Sequence, residues 1–106
     1  MARRREGAFS MDGDSRPQLV FFTSARSGPA RRMESLVAHL ARKERGRLRV
    51  VQVDVDVARH IAEKLGVEDV PTLVLLVERK PVARLTGRVS APKIEAMLDE
   101  HIAVPA

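Results

Sequence analysis

Thr72-Leu-Val-Leu-Leu-Val77 is a run of β-formers with no polar residue after its first position. A strand of this kind has no side to turn toward water, so it belongs at the centre of a sheet with both faces covered. The run is far short of the ~20 apolar residues a membrane helix needs. In a chain of 106 residues, one domain with helices packed on either side of a sheet is the economical way to cover it.

The remaining segments supply those layers. Residues 1–17 read as a basic tail: Arg3, Arg4 and Arg5, then Gly7, Gly13, Ser15 and Pro17, with a short strand conceivable at 8–11. A folded domain is expected from residue 18 to residue 106. Gln18-Leu-Val-Phe-Phe-Thr23 reads as a buried strand, and Ser27-Gly-Pro29 as the capped start of a helix. Met33, Leu36, Val37 and Leu40 repeat at helical spacing, which extends that helix to about Arg45, with Gly46 as its stop. Leu48 to Val55 is a second valine-rich strand. Asp56 is the expected cap of a short helix that turns Val57, Ala58, Ile61 and Leu65 inward and closes at Gly66. Glu78 to Pro81 reads as a turn and Val82 to Thr86 as a hairpin partner. Ser90 is the expected cap of a last helix carrying Ile94, Met97, Leu98 and Ile102 on its inner face. The order β-α-β-α-β-β-α makes this an α/β chain whose first two strands run parallel through a right-handed crossover and whose later pair is antiparallel.

Composition limits the chemistry. There is no cysteine, which removes thiolate nucleophiles, disulfides, Cys-bound zinc and iron–sulfur clusters together. His39, His60 and His101 fall on three different expected helices with no paired carboxylate or second histidine at ligand spacing, so no metal site and no cofactor is expected. Ser27 sits in Arg-Ser-Gly, not in a Gly-x-Ser-x-Gly elbow, and has no histidine at the same helix start; a helix cap is expected there, not a nucleophile. Asp54 and Asp56 share one face of a strand end, which a helix cap at Asp56 explains without a metal.

The net charge is +5, and Arg26 to Arg49 carries eight bases against Glu34 and Glu44, a local net of +6. Fifteen of the nineteen bases are arginine, a bias that follows either from forked anion contacts or from a GC-rich genome. Arg26, Arg31 and Arg32 flank a helix start, where free N–H groups favour anions, and form the candidate anion site; an acidic partner would suit it. Nucleic acid is a lesser reading, because three Phe and no Trp or Tyr leave little to stack on bases.

From Gln18 onward the chain resembles the thioredoxin family. Ser27-Gly28-Pro29-Ala30 opens a helix after a strand, where that family has Cys-Gly-Pro-Cys. Val67-Glu-Asp-Val-Pro-Thr72 follows about forty residues later and matches the family's loop with a cis proline. The resemblance covers roughly residues 18–103 and implies a thioredoxin-like fold: a mixed four- to five-stranded sheet with helices on both faces, shortened at the N-terminus. It also implies what is missing. The two cysteines fall on Ser27 and Ala30, two tryptophans on Thr23 and Arg26, the buried aspartate on Phe21 and its lysine partner on Gln52.

Thiol–disulfide exchange needs one thiolate to attack and a second to resolve the mixed disulfide, so no such activity is expected. What the resemblance leaves is the family's peptide groove, which here would be lined by Arg26, Ser27, Gly28, Pro29, Val70, Pro71 and Thr72. The expected function is a redox-inactive module binding a protein or an extended peptide. The alternative is an oxidoreductase by lineage whose cysteines were lost or replaced; anion or nucleic-acid binding through 26–49 is a minor one. With no signal sequence and no spanning segment, a cytoplasmic location and no membrane partner are expected.

Overall fold

A computed structural model describes residues 15–102. The short strand expected at 8–11, and with it most of the tail, lies outside the described residues. Four strands form one mixed sheet: β1 (Gln18–Thr23), β2 (Arg49–Asp54), β3 (Thr72–Val77) and β4 (Lys80–Thr86), in the order β2-β1-β3-β4. β1 runs parallel to β2 and antiparallel to β3, and β3 pairs antiparallel with β4. The apolar run at 72–77 is thus an inner strand, beside the equally buried β1.

Four helices accompany the sheet among the described residues: α1 (Gly28–Arg32), α2 (Glu34–Lys43), α3 (Arg59–Lys64) and α4 (Ala91–His101). Alternation along the strands divides the core into two layers. Leu19 and Phe21 of β1 and Leu73 and Leu75 of β3 pack with Val37 and Leu40 of α2 and with Ile94, Met97 and Leu98 of α4. On the opposite face Val20, Phe22, Val51, Val53, Val74 and Leu76 pack with Ala62 of α3. Arg84 reaches from β4 to that side and donates to the carbonyls of Leu65 and Gly66, at 2.6 and 3.0 Å, closing the end of α3.

Several expectations need correction. The helix after Ser27 is not continuous: at Met33 the N–H bonds to the Ala30 carbonyl, three residues back, and α2 starts afresh at Glu34. It ends at Glu44, whose carbonyl takes the N–H groups of Arg47 and Leu48 in a turn, so Gly46 is not the stop. Asp56 does not cap α3; Ala58 holds the N-cap position, and Val57 points out, 83% exposed. Ser90 holds the N-cap position of α4, but its side chain makes no capping hydrogen bond. No helix among the described residues is long and apolar enough to cross a membrane.

Candidate functional site

The sheet register brings the relevant loops to one end. Thr23 is paired with Asp54, Phe22 with Thr72, and Thr72 with Thr86. The segments after β1, after β2, before β3 and after β4 therefore all leave the sheet at that end.

Ser27 stands at the N-cap of α1 in extended conformation, and its Oγ accepts the Ala30 N–H at 3.1 Å. Gly28 and Pro29 are exposed in the first turn, while Ala30 is fully buried. The Ser27 N–H donates to the Ser24 carbonyl at 3.0 Å, so a tight turn feeds the cap. Arg31 and Arg32 are exposed, and among the described residues neither side chain makes a hydrogen bond or ion pair. Side chains on a helix lean toward its N-terminus: the Arg32 guanidinium comes within 3.3 Å of where a Cβ on Gly28 would stand.

Arg26 is tied down. Its Nη2 donates to Asp56 Oδ1 at 2.8 Å, and Ser24 Oγ donates to Asp56 Oδ2 at 2.6 Å. Arg26 N–H in turn donates to Ser24 Oγ at 3.2 Å, and Asp56 N–H donates to Asp54 Oδ1 at 2.8 Å. The Arg26 contact first, and the Ser24 hydroxyl second, hold the Asp56 carboxyl below its ordinary value. The network stitches the loop after β1 to the loop after β2. Sequence reasoning gave Asp56 a capping role and passed over Ser24; the doublet Asp54-Val-Asp56 at a strand end was the only available signal.

Across the site the Val70–Pro71 peptide is cis. Thr72 is buried, and its hydroxyl donates to the Asp69 carbonyl at 2.7 Å, bracing the loop from below. Gly87, at φ 85°, donates its N–H to the Pro71 carbonyl at 2.8 Å. Among the described residues the backbone N–H and C=O of Val70 have no hydrogen-bond partner. Thr23, at 3% exposure, also keeps an unpartnered Oγ1.

The family's buried acid and its lysine partner fall on Phe21 and Gln52, and these two are direct partners in the β1–β2 register. Phe21 is fully buried and Gln52 is exposed, so the position offers no proton acceptor. No cluster of His, Asp or Glu suited to a metal occurs among the described residues.

The thioredoxin family model matches residues 8–100. Thioredoxin 1 of a Nostoc species is 28% identical over 86 residues, spanning 81% of this chain and 80% of its own. A Staphylococcus aureus thioredoxin is 28% identical over 94 residues, 89% and 90% of the two chains. Among solved structures, Deadhead, a germline-specific thioredoxin of Drosophila melanogaster, superimposes with a TM-score of 0.78 at 29% identity, over 95% of this chain and 90% of its own. Strand order, the capped Ser-Gly-Pro-Ala turn at the same end of the sheet as the Val-Pro-Thr loop and these matches agree: the chain belongs to the thioredoxin family.

Proposed function

We propose that this chain is a redox-inactive thioredoxin-family domain that holds an extended segment of a partner protein between the 26–29 and 70–72 loops, with the cytoplasm as its location. The observation that carries the reading is the unpartnered backbone of the half-buried Val70, at the head of a loop braced by the buried Pro71 and Thr72. An N–H and a C=O in that state can take the complementary pair of an extended peptide, as a sheet edge does. Pro29 and Gly28 add a small exposed surface opposite. The chemistry side is a negative with a clear cause: a hydroxyl at 27 and a methyl at 30 supply neither an attacking nor a resolving sulfur.

Titration of the isotopically labelled chain with a panel of extended peptides of mixed composition tests the binding reading by amide chemical shifts. Shifts concentrated at residues 26–29 and 70–72 are expected. Shifts confined to the opposite edge, around β4 and α4, would overturn it.

A further inference from the structure

The basic quarter of the sequence holds both tied and untied cations. Away from the site, Lys43 is bound to Glu95 and Arg47 to both Glu44 and Asp99, while Arg42 and Arg45 are exposed with no ion pair among the described residues. At the site, Arg26 is taken by Asp56, but Arg31 and Arg32 remain exposed with no ion pair among the described residues. Arg32 lies back over Gly28, in the loop that leaves the same end of the sheet as Val70 and Pro71. Pro29, next to Gly28 in the chain, is exposed as well.

Resting on the groove reading above, we infer that the bound segment is acidic: its carboxylate side chains are met by Arg31 and Arg32 while its backbone pairs with Val70. A guanidinium is built to grip a carboxylate through two parallel N–H donors. The exposed Pro29 suits an apolar residue interspersed with the acids along an extended chain. Nucleic acid is the poorer fit, because Phe21 and Phe22 are fully buried and no Phe, Tyr or Trp face among the described residues is left to stack on a base.

The test uses two fluorescein-labelled peptides, one a repeat of Glu-Thr-Val and the other the same repeat with Gln for Glu. Binding is read by fluorescence anisotropy, and the site of binding by amide shifts. The acidic peptide should bind about tenfold more tightly at low salt, the effect of two exposed ion pairs near the upper end of their range, and lose that advantage as salt rises. Arg31→Gln with Arg32→Gln should bring the two peptides level. Arg31→Lys with Arg32→Lys should keep a preference, which shows charge at work even if the first variant folds poorly. Equal affinities with shifts at 26–29 and 70–72 would leave the groove and overturn the acidic preference. No binding of either peptide would overturn both. A short thymidine oligonucleotide that binds more tightly than the acidic peptide, through the same arginines, would make this a nucleic-acid surface and overturn the inference.

Discussion

Ser27 has exchanged one job for another. Where its family places a reactive sulfur, its hydroxyl satisfies one of the otherwise free N–H groups of α1. Ser27→Ala should therefore lower stability by about 0.5–2 kcal/mol in denaturant unfolding, and Ser27→Asp should recover most of it. An unchanged midpoint in the alanine variant would remove the cap from the account. Asp56 makes a second residue-scale prediction, with a sign. Its folded carboxyl titrates below the ordinary value of 3.8, so the folded state binds fewer protons than the unfolded one between those two values. The stabilisation is complete above the ordinary value and drains away as pH falls through the folded one. Asp56→Asn should flatten that part of the stability–pH curve, and salt should weaken it in the native chain because Arg26 is exposed. The two residues differ in how readable they are. A cap is local, three residues from donor to acceptor, and Ser-Gly-Pro announces it. The Asp56 contacts span 32 residues to Ser24 and 30 to Arg26, a distance that only the folded sheet closes.

Among the elements, strands were legible and helix ends were not. β1 and β3 coincide with their apolar runs because a buried strand leaves no polar position to blur its limits. Helix ends depend on where particular carbonyls find partners, as the break at Met33 and the late start of α3 show. The β3–β4 hairpin illustrates a local cost. Its two turn residues, Glu78 and Arg79, adopt φ values of 53° and 71°, a region that suits Asn and Gly far better than long side chains. Replacing the pair by Asn-Gly should raise stability by about 1 kcal/mol, measured by thermal or denaturant unfolding. On β4 itself the register shift places Pro81 opposite Leu76 and Ala83 opposite Leu75, leaving Val82 as the extra residue. A proline and a bulge are tolerated there because β4 is an edge strand. Arg47 makes the complementary case for a contact between elements. It is mostly buried and bonds both Glu44, at the end of α2, and Asp99, in α4. Arg47→Ala should cost about 1–3 kcal/mol, since it leaves the buried Glu44 carboxylate without its donor. Asp99→Ala should cost less, since Asp99 is itself exposed and Arg47 keeps Glu44.

At the scale of the molecule, one end of the sheet gathers four chain segments, and that convergence stands without the family's two cysteines. The parallel β1–β2 pair, the antiparallel β1–β3 pair and the β3–β4 hairpin put residues 23–32, 54–58, 69–72 and 86–90 at the same rim. The element order and the spacing of Gly-Pro from Val-Pro-Thr made this arrangement legible from the sequence. Which cations the fold would neutralise was not legible, because Asp56, Glu95 and Asp99 come from distant segments. The same arrangement separates two histories of the missing cysteines. If only the two sulfurs had been removed from a working enzyme, Ser27→Cys with Ala30→Cys would restore disulfide reduction in full. Here the loss runs deeper: a fully buried Phe21 stands opposite an exposed Gln52 in the strand register, where a buried acid would relay the proton. General acid–base help of that kind is worth about 10²–10⁴ in rate. The native chain should reduce an insulin disulfide no faster than the dithiothreitol blank. The double cysteine variant should remain at least about a hundredfold slower than Staphylococcus aureus thioredoxin measured beside it, and adding Phe21→Asp should not rescue it without loss of stability, since a carboxylate there would enter the α2–α4 layer of the core. A double variant as fast as the bacterial thioredoxin would show that the proton relay is dispensable in this framework and that the two sulfurs were all that had been lost.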